Sequence, residues 1–125
     1  MGDVMNYLRT FAGPDGDCHF EDLQTELAPA EFIPGLRTMG LSPTRPSTAV
    51  VFARLPAGWD GVPHPSPRRQ FVFTLAGEAE VTSTDGNMRR MKPGTVWLVE
   101  DTTGKGHRTR VTDAGGWLIA LVWLD

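Results

Sequence analysis

The sequence predicts an all-β fold, a sandwich or barrel of short strands. From Thr48 onward, short apolar and β-branched runs alternate with turn residues at close spacing, the pattern of strands rather than helices. Gly (14) and Pro (10) make up about a fifth of the 125 residues, against roughly 12% in average usage. The chain therefore turns often, and long helices are disfavoured. Hydrophobic residues at 40% and charged residues at 22% place it with globular proteins. A chain of this length predicts one domain with a real core, stable without disulfides or a structural metal.

At the N-terminus, Met5, Tyr7 and Phe11 fall on alternate positions, and Gly13-Pro14-Asp15-Gly16 is a turn signal. This predicts a β-hairpin returning through Cys18 to Leu27. A short helix over Asp3–Phe11 competes with it, because Val4, Tyr7, Leu8 and Phe11 also satisfy helical spacing. From Pro29 to Pro46, four prolines and two glycines exclude a helix and predict an irregular segment wrapped over the main body.

Strands are then predicted at Thr48–Leu55, Gln70–Ala76, Glu78–Thr84, Met88–Lys92, Thr95–Glu100, His107–Thr112 and Trp117–Leu124. Asp85-Gly86 closes a hairpin. The last strand is apolar at every position, so both faces want burial, one in the core and one against the N-terminal segment or a second subunit. The expected organisation is residues 1–46 packing on a core of residues 47–125, one domain overall.

A net charge of −3 gives no general attraction to phosphate backbones or anionic lipid, so neither nucleic acid nor membrane is an expected partner. Cys18 is the single cysteine, which excludes an intrachain disulfide and a multi-cysteine zinc site; its ordinary reading is a small half-buried hydrophobe. Met1–Ala12 has neither a basic start nor a long apolar run, and no stretch approaches a membrane span. The expectation is a soluble, cytoplasmic protein.

Three histidines can be weighed singly. His19 stands beside Glu21 and Asp22 and reads as a surface residue. His64 lies between Pro63 and Pro65, which restrict the backbone and hold the ring. On the following strand Gln70, Val72 and Thr74 share one face, while Phe71, Phe73 and Leu75 share the other. His107 opens a strand that can turn its imidazole inward with Thr109 and Val111 while Arg108 and Arg110 reach solvent.

The run His64-Pro65-Ser66-Pro67-Arg68-Arg69-Gln70, then six residues and Gly77, resembles the first motif of the cupins, H-x-H, three or four residues, E, six residues, G. The hairpin at Asp85-Gly86, then Lys92-Pro93-Gly94 and later His107, is similar to their second motif, although Glu100–Gly106 is a longer approach to the histidine than usual. The resemblance covers roughly Ser47 to Asp125. It implies a cupin jelly-roll β-barrel, the double-stranded β-helix, with an N-terminal hairpin or irregular extension.

It also implies a divalent metal held by three histidines and a carboxylate. Carried over position by position, His64 and His107 keep the first and last ligands, Ser66 stands at the second, and Gln70 at the carboxylate. Gln70 offers a neutral amide oxygen, so two imidazoles and an amide make a weak, open site for Fe, Mn, Ni, Cu or Zn. Equally, the two histidines could hydrogen-bond across the barrel mouth with Gln70 on a backbone carbonyl and no metal bound.

Glu100 is the candidate catalytic carboxylate, a general base or fourth ligand at the pocket rim, with desolvation raising its pKa if its face looks inward; the alternative for Glu100-Asp101 is a solvated acidic turn. Arg68 is a candidate ligand-binding residue for a carboxylate or phosphate, against a surface ion pair for Arg68-Arg69. Trp59 is the tryptophan expected to border the pocket. Gly104-Lys105-Gly106 lacks the spacing of a phosphate loop and leads into a strand.

Two functions follow. One is a metal-assisted lyase, isomerase, cyclase or oxygenase acting on a small metabolite; the other is a metal-free sensor or carrier. Either takes a small molecule as partner, and the resemblance implies a homodimer.

Overall fold

The computed structural model describes residues 2–125. Ten strands form and no helix does among those residues: β1 (Asp3–Ala12), β2 (Cys18–Ala30), β3 (Met39–Leu41), β4 (Ala49–Leu55), β5 (Gln70–Gly77), β6 (Ala79–Ser83), β7 (Met88–Met91), β8 (Val96–Val99), β9 (His107–Val111) and β10 (Trp117–Trp123). Hence none is a helix long and apolar enough to cross a membrane. The all-β prediction holds, and each strand expected from Thr48 onward forms within a residue or so of its predicted bounds.

At the N-terminus the hairpin forms instead of the helix. β1 and β2 pair from Asp3↔Leu27 to Ala12↔Cys18. The reason lies outside the local sequence: β1 also pairs in parallel with β8, Leu8↔Trp97 to Thr10↔Val99, which a helix could not do. The stretch expected to be irregular contains one short strand, β3, paired to the end of β2 at Ala28↔Leu41.

One sheet has seven strands in the order β3-β2-β1-β8-β5-β10-β4, and the other three, β7-β6-β9. The core between them draws Val72, Trp97, Val99, Trp117 and Ile119 from the large sheet and Ala79, Val81, Met91 and Val111 from the small one. On β9 burial alternates strictly, with His107, Thr109 and Val111 inside and Arg108 and Arg110 outside. On β5 Val72 and Thr74 point inward, whereas Phe71 and Phe73 stack on each other, 5.8 Å between centroids, on the outer face. On that greasy face Arg45, in the segment after β3, lies over the Phe71 ring at 5.2 Å, and Leu41, Pro43, Tyr7, Phe73 and Val122 line the same hollow. Val122 and Leu124, on the second face of the last strand, line the same hollow as Met5 and Tyr7 and are half-buried.

Two glycines fix the frame around the inner face. Gly77, at φ 77°, ends β5, and a Cβ there would stand 2.0 Å from the Gly116 carbonyl oxygen. Gly106, at φ 78°, precedes His107, and its Cβ would stand 2.0 Å from the carbonyl of His64. Both φ values disfavour any L side chain, and the second lets the His64 segment lie directly against β9.

Candidate ligand and metal site

That approach ties the two histidines together. The His64 N–H donates to the His107 carbonyl and the His107 N–H to the His64 carbonyl, each at 3.1 Å, in an isolated antiparallel bridge. Their rings lie 5.7 Å apart between centroids. His64 is exposed and His107 is buried, so the pair runs from the mouth of a cavity into its wall.

The cavity has a volume of about 210 Å³ and lies between the inner faces of the sheets. This is space for roughly seven waters at their liquid volume, or one small metabolite. His64, Gln70, His107, Thr109 and Trp59 supply its polar and aromatic lining; Trp97, Trp117, Ile119 and Leu121 supply apolar walls. Two larger hollows are chemically poorer. An open groove of about 820 Å³ between the β1–β2 hairpin and β7 contains Asp22 and Arg89, already paired at 2.7 Å. The space of about 470 Å³ under the segment after β3 is mainly apolar.

Each imidazole has one nitrogen committed. His64 Nδ1 lies 2.8 Å from the Val62 carbonyl, which accepts only, so the proton sits on Nδ1. His107 Nδ1 lies 2.6 Å from Asp101 Oδ2 and donates to it. In neutral rings both Nε2 atoms then carry lone pairs. The His107 ring also meets the Trp97 indole edge-on at 5.1 Å, which fixes its plane.

Asp101 is fully buried (0% exposed). The Thr10 hydroxyl donates to its Oδ1 at 2.7 Å, and the Trp97 indole N–H donates to the Thr10 oxygen at 3.0 Å. Cys18 stands against the same group, with Sγ within 4.8 Å of the ligand atoms of Asp101 and His107. Cys18, Asp101 and His107 could in principle cage an ion, but the bonding argues otherwise. Both Asp101 oxygens and His107 Nδ1 are engaged in hydrogen bonds, and burial, reinforced by the Asp101 charge, pushes the Cys18 thiol far above its ordinary value.

The remaining candidates from the sequence separate clearly. Trp59, 37% exposed, lines the cavity together with Trp97 and Trp117. Gln70 lines it, and its amide Nε2 lies 3.4 Å from Ser66 Oγ. Ser66, at the second ligand position, donates its hydroxyl to the Arg68 carbonyl at 2.7 Å.

Arg68 is a correction. Its guanidinium lies over the Trp123 ring at 3.7 Å and is not part of the cavity, because a cation on that aromatic face gains more than in open water. Glu100 is a second correction, since it is absent from the lining and clamped between Arg9 Nε at 2.6 Å and Arg69 Nε at 2.9 Å. Burial tends to raise its carboxyl, but the hydrogen bonds and charges of Arg9 and Arg69 outweigh that and hold it below the ordinary range, the reverse of the predicted direction. Asp101, next in sequence, is the third: it is neither solvated nor at the rim, because the chain turns inward there and its carboxyl meets Thr10 and His107. Thr10, which donates to Asp101, and Cys18, which stands beside Asp101 and His107, carry no sequence signal, because they come from the N-terminal hairpin far upstream.

A family model described as "Cupin domain" matches residues 51–121. Among solved structures, the chain is similar to the Schizosaccharomyces pombe Cnp3 cupin domain, at 19% identity and TM-score 0.51 over 100% of this chain and 90% of that one. KdgF from Halomonas sp. aligns at 22% identity and TM-score 0.50, over 78% of this chain and 87% of that one. A Cupin 2 conserved barrel domain protein from Salinispora arenicola CNS-205 aligns at 20% identity and TM-score 0.50, over 61% of each chain. At these identities the likeness is one of fold. Among curated proteins no match is found.

Proposed function

The chain belongs to the cupin domain family, and we propose that its inner cavity is a small-molecule site where His64 and His107 hold a divalent transition metal beside Gln70. The observation that carries this is the pair of imidazoles whose Nδ1 atoms are both tied, to the Val62 carbonyl and to Asp101. Ligating histidines are oriented in this way, through the nitrogen that does not face the ion. Two imidazoles on one ion at ordinary Zn–N lengths of about 2.0–2.1 Å place their ring centroids roughly 5 Å apart, against 5.7 Å observed. The donor set fits Fe, Mn, Ni, Cu or Zn. The Gln70 amide would be the third protein ligand, with remaining positions open to water and substrate.

When bound, the metal supplies Lewis-acid polarisation of a carbonyl or activation of water or dioxygen, the chemistry of a lyase, isomerase, cyclase or oxygenase. The protein's own residues do the rest. Trp97, Trp117 and Ile119 exclude water from one side of the ligand, Trp59 covers the rim, and Thr109 offers a hydroxyl. The test is metal content of the tag-free protein before and after chelation and after metal is offered. About one equivalent, lost in His64→Ala and in His107→Ala with folding retained, supports the reading. Full metal content in both variants overturns it.

A metal-free sensor or carrier is the second reading, favoured by Gln70 and Ser66 at two ligand positions and by the engagement of the Ser66 hydroxyl with Arg68. Chelation that leaves small-molecule affinity unchanged selects it. A homodimer through the outer face of the large sheet accompanies either reading. Phe52 (70% exposed), Val50 and Leu75 are uncovered there, and sedimentation velocity decides it.

A further inference from the structure

We propose that Asp101 is the positioning residue of the cavity: it fixes which nitrogen of His107 faces the ligand, and Thr10 of the N-terminal strand holds it in place. The inference rests on the reading of His107 as a ligand-facing imidazole, but it concerns the tautomer of that ring, which exists with or without a metal.

The polarity of the hydrogen-bond chain is set at its far end. Trp97 Nε1 can only donate, so the Thr10 oxygen accepts at 3.0 Å and its single hydroxyl proton goes to Asp101 Oδ1 at 2.7 Å. Asp101 Oδ2 then accepts the hydrogen bond from His107 Nδ1–H at 2.6 Å. Every link is buried: Thr10 and Asp101 are 0% exposed, Trp97 3% and His107 6%. Water cannot replace a lost partner there, which makes the arrangement directional and stiff. No buried side-chain polar atom among the described residues lacks a partner, so the chain is complete.

Its parts come from separated stretches of sequence. Thr10 sits on β1, whose parallel pairing with β8 places Thr10 opposite Val99. The Glu100 N–H donates to the Thr10 carbonyl at 2.9 Å, and the Ser66 N–H donates to the Asp101 carbonyl at 2.9 Å. The same two residues beyond β8 are thus held by β1 on one side and by the segment that carries His64 on the other. The N-terminal strand is accordingly a component of the site rather than a covering layer.

Asp101→Asn tests this. The amide keeps Oδ1 for the Thr10 hydroxyl, and its NH₂ replaces the acceptor at Nδ1, so the ring must take its proton on Nε2 and present N–H to the cavity. The measurement is ¹⁵N–¹H NMR of imidazole nitrogens in full-length, chelator-treated protein at pH 8.5. Only three histidines need assignment. His107 is expected as the Nδ1–H tautomer in the wild type and as the Nε2–H tautomer in Asp101→Asn. Asp101→Ala, which removes the acceptor at Nδ1 and adds no donor, is expected to give a mixture of the two, and it decides the question if Asp101→Asn does not fold.

An unchanged His107 tautomer in Asp101→Asn, or in Asp101→Ala if that is the folded variant, overturns the proposal. Titration with Co²⁺ gives a second readout, with affinity falling about 10- to 100-fold in Asp101→Asn. If the wild type takes no Co²⁺, the metal reading fails while the tautomer result still decides the role of Asp101.

Discussion

Replacing Gly106 by alanine is expected to destabilise the fold and to disconnect His64 from His107. Gly106 has φ 78°, and a Cβ there would stand 2.0 Å from both the carbon and the oxygen of the His64 carbonyl. Backbone atoms cannot rotate away, so the His64 segment must lift off β9. The left-handed conformation costs an L residue about 1–2 kcal/mol. Loss of the two bridge hydrogen bonds, N–H to carbonyl in both directions at 3.1 Å, costs about 1 kcal/mol each. The expected total is about 3–4 kcal/mol, which is ~12–16 °C in Tm for a domain of this size.

Gly86→Ala is the internal control. Its φ is 96°, and no heavy atom lies within 4 Å of the added Cβ, so it bears only the conformational cost of about 1–2 kcal/mol. Both variants are followed by thermal and urea denaturation, with Co²⁺ uptake measured in parallel. Gly106→Ala should lose roughly twice the stability of Gly86→Ala, and it alone should lose uptake by the cavity. Equal destabilisation by the two would refute the argument that the close approach at Gly106 builds the site.

Two further predictions concern pH. Arg9 and Arg69 hold the Glu100 carboxyl below its ordinary value; a depressed carboxylate stabilises the fold above the unfolded pKa, about 4.3, and the contribution disappears as pH falls through the folded value. Glu100→Gln should therefore be less stable than wild type at pH 7, by about 1–3 kcal/mol for charge-assisted bonds, with the gap narrowing below about pH 4 in denaturant melts. His19 runs the opposite way: hydrogen bonds first to Asp15 and then to Asp85 raise its pKa above the ordinary value. That contribution is complete below about pH 6.5 and is lost as pH rises through the folded value. The Tm difference between wild type and His19→Asn should shrink between pH 6 and pH 8; a constant difference would show that the ion pairs contribute nothing.

At His19 the neighbours in sequence are not the neighbours in space. Glu21 and Asp22 stand close by along the chain, but the carboxylates that meet the ring are Asp15, across the hairpin turn, and Asp85, from the β6–β7 turn. Phe71 and Phe73 give a second lesson. Strand parity separated them correctly from Gln70, Val72 and Thr74, yet parity does not say which face is inside. The polar face turned inward because it lines a cavity, and the aromatic face turned outward beneath the segment following β3.

The sequence by itself determined the strands from Thr48 onward, their turns and the phase of Gln70 and His107, because these follow from a period of two, from glycine and proline stereochemistry, and from spacing along one chain. Tertiary structure decided what surrounds those residues. Glu100 and Asp101 are adjacent, chemically similar, and indistinguishable by composition, yet one is clamped at the edge by Arg9 and Arg69 and the other is buried behind His107. The difference comes from β1 lying parallel to β8, which brings Arg9 and Thr10, each 91 residues from its partner, to opposite sides of the chain as it leaves that strand. Register between strands so far apart is set by the packing of whole sheets, and no local pattern of residues encodes it.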